Sequence, residues 1–336
     1  MDIHGREYSR EEILRRCNAN AIYGARRVEL VSGRGRGQRL VEVKTTAGLR
    51  ASFLEDRCLD ILELEYKGVN LAFLSKNGMV STALANPETD SFTKYWAGGF
   101  LSTCGLRNTG PSCAIDGHFF PIHGHIGVTP AEYVNLEVGD KEIVITGKMR
   151  ETALFGPCLE MERKITIPSD GAAIHIKDTI RNLTSEAETI LLLYHINFGF
   201  PFLCEDLSLE FPKGEVRGRT DLAQEHIHSH TKITPPIDGE AELVYFHLTT
   251  DKDAKVILDN KKLGIRAAVH YDSEKLPVLS QWKSMGSGDY ALGIEPGTSF
   301  IRGRKEEIEN GYDIKLPPFG SLEYGFTVSL DQGEKG

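Results

Sequence analysis

The sequence predicts an all-β protein of antiparallel strands, on three observations. Apolar and polar residues alternate in one short run after another. The runs are separated by turn-forming pairs such as Lys67-Gly68, Asn77-Gly78, Asp170-Gly171, Asp238-Gly239 and Asn310-Gly311. Strands follow one another without intervening helices, which excludes a doubly wound nucleotide-binding sheet. The 336 residues can bury a large core, and no repeat, low-complexity block or linker divides them, so one domain over 1–336 is expected.

At the N-terminus Ser9 and Glu12 have capping-box spacing ahead of Ile13, Leu14 and Cys17, and Gly24 is a stop signal. The spacing predicts a helical extension within 1–25. Strands are predicted at 41–45 and 49–53 around the Gly48 turn, then at 61–66, 142–149, 174–180, 243–248, 255–258 and 322–328. The segment SGRGRGQR, 32–39, reads either as an RGG-type nucleic-acid element or as a glycine-rich hairpin connection. So many strands favour two large stacked sheets, whose concave face would offer room for a ligand.

The charge of −9, from 39 Lys plus Arg against 48 Asp plus Glu, argues against nucleic acid as the main partner and favours the hairpin. No apolar run is long enough for a membrane-spanning helix. The first residues, MDIHGREYSREE, lack the basic start and apolar stretch of a secretory signal, so a cytoplasmic location is expected. The six cysteines, Cys17, Cys58, Cys104, Cys113, Cys158 and Cys204, show no metal-ribbon spacing and are expected as free thiols.

Three segments could carry chemistry. TILLLYHINF, 189–198, is a nearly continuous apolar run interrupted by His195 and Asn197, which share a strand face with Leu191 and Leu193. Either the pair faces a ligand or His195 is a core histidine satisfied by a carbonyl. In YALGIEP, 290–296, Glu295 shares its face with Ala291 and Gly293. These small neighbours leave room over the carboxylate, and the alternative is a surface Glu at a strand end. The stretch 100–135, rich in Gly and polar residues, reads as loops over the sheet and holds His123 and His125 around Gly124. With Gly117, Glu132 and Gly139 these histidines superficially match a metal-binding cupin signature, but Glu132 lies too far beyond His125. His226, His228 and His230 alternate among polar residues and read as a surface loop or edge.

The stretches DRCLDILELEYKGVNLAFLS, GGFLSTCGLRNTGP, PIHGHIGVTPAEYV, LYHINFGFP and QWKSMGSGDYALGIEPGT, in this order across 56–298, resemble the aldose 1-epimerase (galactose mutarotase-like) superfamily, in a divergent bacterial branch. The resemblance implies a β-supersandwich and a cofactor-independent isomerase that interconverts the anomers of an aldose or modified sugar. It implies that His195 is the general acid, Glu295 the general base, and His123 a ligand for a sugar hydroxyl. His125, Asn108, Arg219 and Asp221 are expected beside the sugar, and Trp282 either stacks on it or is a core indole. His125 and Arg107 depart from what many relatives carry, which points away from an ordinary hexose. Two positioned proton carriers suffice for this chemistry, so neither metal nor organic cofactor is expected. The expected partner is a small sugar, with a homodimer allowed and neither nucleic acid nor membrane. A non-catalytic carbohydrate-binding protein and a metal-dependent cupin-like sugar isomerase are the alternatives.

Overall fold

The alternation of polar and apolar residues folds as its period requires, into strands with one face buried. In the computed structural model, which describes residues 1–89 and 91–333, nearly all regular structure is antiparallel sheet. An eight-stranded sheet runs in the order Tyr133–Val138, Glu142–Thr152, Cys158–Pro168, Ala173–Asn182, Ser321–Asp331, Ile265–Asp272, Asp253–Asn260 and Leu207–Glu210. A second sheet places Gly214–Gly218, Leu243–Thr249, Val278–Ser284, Ala291–Gly297 and Glu188–Phe198 side by side, and Leu101–Leu106 also pairs with the last of these. A smaller sheet, from Gly24–Glu29 to Val69–Asn70, precedes both.

The inward series Ile143, Ile145 and Met149, then Ile174, Ile176 and Ile180, meets Tyr194, Ile196, Leu279 and Leu292 of the second sheet in one buried cluster. Phe53 and Ile61 of the smaller sheet join it. Each such side chain contributes about 1.5–3 kcal/mol on burial.

All ten predicted strands form, including those at 189–198 and 290–296, with ends shifted by a few residues. The N-terminal extension is less helical than expected. Ser9 and Glu12 do form the capping box, but the helix is only Arg10–Leu14, and Gly24 begins a strand rather than ending a helix. Asn310-Gly311 follows the helix Arg304–Glu309 and does not join two strands. The segment 32–39 connects the neighbouring antiparallel strands Gly24–Glu29 and Arg39–Lys44, as a hairpin connection should. Leu101–Leu106, expected as loop, is a buried strand. Among the described residues no helix is long and apolar enough to cross a membrane.

An ionic cluster lies between the sheets. Arg163 is fully buried and donates to both carboxylate oxygens of Asp178, at 2.8 and 2.7 Å, and to Asp60 at 2.9 Å. Its remaining donors reach the Cys58 carbonyl and Thr103 Oγ1, both at 2.9 Å. Thr103 donates to Asp60 through backbone and hydroxyl, and the Tyr194 hydroxyl donates to Asp178 at 2.8 Å. Every guanidinium nitrogen thus has an acceptor, as a buried charge requires. Because Tyr194 and Thr103 pair across neighbouring strands, the cluster fixes the strand that carries His195.

Candidate active site

His195 projects from Glu188–Phe198, a strand buried on both faces from Thr189 onward. The same face carries Asn197, which lies opposite Gly293; Gly293 in turn lies opposite Trp282, and Glu295 opposite Ser280. Directly paired residues share a face, so three strands bring His195, Asn197, Glu295, Ser280 and Trp282 to one surface.

Asn197 sets the histidine. Its amide nitrogen donates to the Gly99 and His195 carbonyls, at 3.1 and 3.0 Å, which presents Oδ1 to His195 Nδ1 at 2.6 Å. Nδ1 must then carry the hydrogen, leaving Nε2 as the free lone pair of the neutral ring. Nε2 lies 3.3 Å from Glu295 Oε1.

The room expected beside Glu295 is occupied by its own carboxyl. A Cβ at Gly293 would lie 2.2 Å from Glu295 Oε1 and 2.9 Å from Trp282 Cβ, so only glycine lets the carboxyl lie over that strand position toward the imidazole. Glu295 is 1% exposed and Oε1 has no hydrogen-bond partner among the described residues; Ser280 Oγ beside it is likewise buried and unpartnered. Burial, reinforced by Glu242 and opposed by Arg219, pushes the Glu295 carboxyl well above its ordinary range. Burial lowers His195 to about 4, against the bond to Asn197. Both shifts favour neutral forms, with one exchangeable proton between Glu295 oxygen and His195 Nε2.

Aromatic rings surround this pair. Trp96 and Trp282 approach His195 at centroid distances of 5.3 and 5.4 Å, and the two indoles meet at 5.8 Å. Phe73 touches both indoles. Trp282 Nε1 donates to Glu242 at 2.7 Å, so this half-buried indole is tethered at the rim while part of its surface packs against the buried cluster of Leu193, Val244 and Phe300.

His123 reaches the pair from its loop. Gly124, at φ 74°, lets the turn approach the Gly105 carbonyl, which a Cβ would meet at 2.1 Å. His123 Nδ1 accepts from the Gly110 amide at 3.3 Å, and its ring meets His195 edge to face at 5.7 Å and Phe92 at 5.2 Å. Burial, with His195 and Arg219 nearby, lowers it to about 3, so it is neutral at ordinary pH.

Of the other expected site residues, Arg219 stays on the sheet that carries the site, while Asn108, His125, Arg107 and Asp221 turn to other partners or to solvent. Asn108 is fully buried and engaged by backbone: it donates to the Pro111 and Pro121 carbonyls and accepts from the Arg304 amide. It holds the loop together rather than presenting an amide to a sugar. His125 turns to Glu88 and Glu151, at 3.1 and 3.7 Å, while His123 faces His195 and Phe92. Arg107 ion-pairs with Glu188 at 3.1 Å; it follows the strand Leu101–Leu106, whose last residue lies opposite Leu191, four positions from His195. Asp221 opens the exposed face of the short helix Asp221–Glu225. Arg219 lies at the sheet edge with its amide on the Val244 carbonyl. His226 and His228 are exposed as expected, whereas His230 turns inward, 3.2 Å from Gln281 Oε1 and beside His247.

Sequence reasoning missed Trp96 and Phe92, which reach the site from the short helix Phe92–Tyr95 and its C-cap, distant in sequence, and the anchoring task of Asn197. Trp96 had one available signal: it is one of two tryptophans in the chain.

Stacked antiparallel sheets in this order form a galactose mutarotase-like fold, and similar solved structures bear the fold out. A provisionally named aldose 1-epimerase from Klebsiella pneumoniae superposes with a TM-score of 0.87 at 23% identity, over 92% of this chain and 83% of that one. A galactose mutarotase-like protein from Clostridium acetobutylicum gives 0.66 at 15% identity, over 93% and 100% of the two chains. Galactose 1-epimerase from Lactobacillus acidophilus gives 0.62 at 11% identity, over 93% and 99%. At these identities the likeness establishes the fold. Residues 35–330 match the family model described as a domain of unknown function, DUF4432, and the chain belongs to that family. No curated protein matches the sequence.

Proposed function

We propose that the protein is a cofactor-independent aldose 1-epimerase, exchanging the anomers of an aldose or modified sugar through His195 and Glu295. The observation that carries this reading is the 3.3 Å approach of His195 Nε2 to Glu295 Oε1 inside a largely water-excluded aromatic enclosure. Fold likeness alone would not support it.

Anomer exchange requires removal of the proton from the anomeric hydroxyl and protonation of the ring oxygen, breaking the C1–O5 bond. The open aldehyde then rotates, and closure on its other face returns both protons. A pair holding one proton supplies one base and one acid. Glu295 as base and His195 as acid is the ion-pair form of this pair; the neutral form favoured by burial differs only in which atom holds the proton. A sugar entering between them would separate the partners and occupy the unpartnered Glu295 oxygen. His123, kept neutral, would serve a sugar hydroxyl without moving the reacting proton.

The proton count fixes the pH dependence. A second proton charges His195 and removes the base; because burial holds that pKa near 4, kcat/KM for anomer exchange stays flat as pH falls through about 6.5, the ordinary histidine value, and declines only toward 4. Loss of the single proton ionises Glu295, whose raised pKa moves the alkaline limb upward from the usual carboxylate range. An acid limb centred near about 6.5 would contradict the buried pair as the catalytic unit.

Gly293→Ala tests the geometry. The new methyl displaces the Glu295 carboxyl from His195, and the expected loss in kcat is about 100-fold, typical of an ångström-scale misplacement. Far-UV circular dichroism should remain that of the folded protein. A variant that folds and exchanges anomers at the wild-type rate would show that the carboxyl need not lie over position 293.

A further inference from the structure

Arg219 stands at one end of a row of residues that crosses the floor of the site. Its amide donates to the Val244 carbonyl at 2.9 Å; Val244 lies opposite Trp282, Trp282 opposite Gly293, and Gly293 opposite Asn197. With strands about 4.8 Å apart, Arg219 begins roughly 10 Å from Trp282 and 14 Å from Gly293, over which the Glu295 carboxyl lies. The guanidinium is exposed and, among the described residues, makes neither hydrogen bond nor ion pair. Its neighbours are otherwise occupied: Arg217 is held by Glu215 at 2.6 and 2.7 Å, and Glu242 accepts from the Trp282 indole. Its positive charge favours a lower pKa at both His123 and Glu295, so the guanidinium is close enough to act on both groups. Ser280 Oγ and Glu295 Oε1, buried and unpartnered on the same sheet face, are a second sign that a polar ligand completes this surface.

We infer that the substrate of this site is an anionic sugar, whose carboxylate or phosphate pairs with Arg219 while its anomeric carbon lies between His195 and Glu295. The inference rests on the epimerase reading for the reacting end and adds the chemistry of the other. A pyranose bearing a charged group at the carbon remote from the anomeric centre spans the floor from Glu295 over Trp282 toward the rim. Arginine suits either anion, since its planar fork binds carboxylate and phosphate in two-point fashion. A neutral hexose would leave the guanidinium to water.

The test measures binding of D-galactose, D-galacturonate and D-galactose 6-phosphate, with the corresponding glucose series, to the wild-type protein and to Arg219→Gln. Calorimetry gives Kd, and fluorescence of Trp96 and Trp282, which border His195, reports on occupancy. At low salt at least one anionic sugar should bind roughly tenfold or more tightly than its neutral parent, and Arg219→Gln should reduce that ratio by a similar factor. Arg219→Lys should retain part of it. The uronate and phosphate arms show which anion is recognised. A wild-type ratio near one, or a ratio unchanged in Arg219→Gln, overturns the inference. Anion-selective binding without anomer exchange would uphold it and remove the epimerase reading; exchange of neutral sugars with no preference for anions would do the reverse. Failure of every sugar to bind would overturn both.

Discussion

Glu295→Gln should lower anomer exchange by about 10²–10⁴-fold, the usual contribution of a positioned acid–base group, while leaving the protein folded. Glutamine keeps the volume over Gly293 and the approach to His195, but it neither holds nor yields the proton. Stability should change little, because the glutamine amide can donate to the His195 Nε2 lone pair in place of the protonated carboxyl. His195→Ala should lose rate on the same scale. Unlike Glu295→Gln it also leaves Asn197 Oδ1 unsatisfied, which costs about 1–3 kcal/mol. Exchange spectroscopy and thermal melts on both variants separate these effects; retention of near wild-type exchange by Glu295→Gln would show that the carboxyl is not a proton carrier.

The largest loss of stability is expected from Arg163→Met. Methionine fills much of the space but leaves Asp178 and Asp60 buried without their cation, a defect that typically costs about 3–5 kcal/mol. Urea denaturation should show the midpoint falling with little change in slope. Because Tyr194 and Thr103 belong to the same network, the strand beneath His195 should loosen, and amide exchange around 191–196 should accelerate. A change under about 1 kcal/mol would mean that the carboxylates find other partners or become protonated at little cost.

That network has a signature in the sequence. Leu159, Met161, Ile165 and Ile167 form an apolar alternating series with Arg163 in its middle, and Asp178 interrupts the series Ile174, Ile176 and Ile180 in the same way. Opposite charges at core positions of neighbouring strands predict a buried pair. Strands with one wet face were readable because polarity follows the pleat, as at 142–149 and 322–328. Val278–Ser284 was harder, because Ser280 and Gln281 are buried on opposite faces and erase the alternation. Leu101–Leu106 was obscured by Gly105 and by Thr103, whose polarity serves the arginine cluster.

For the candidate site, the two polar residues in the apolar run 189–198 and the small neighbours of Glu295 lie on the strands that bring His195 and Glu295 together. The purpose of those small neighbours differed from expectation: Gly293 accommodates the carboxyl itself. The aromatic cover could not be read from local pattern, since Phe92 and Trp96 belong to a one-turn helix and its C-cap whose position depends on the finished sheets. Asn108 illustrates the converse: an asparagine among glycines looks available for a ligand, yet its amide is fully used in closing the loop.

Exchange NMR of the wild-type protein with a panel of neutral, acidic and phosphorylated aldoses addresses the proposed chemistry at its source. Magnetisation transfer between the α and β anomeric protons should accelerate in proportion to protein concentration for at least one sugar, beyond the buffer rate, and should return to that rate with Glu295→Gln. A wild-type protein that binds a sugar from the panel yet leaves its anomer exchange at the buffer rate would contradict the catalytic reading and leave a carbohydrate-binding protein in its place.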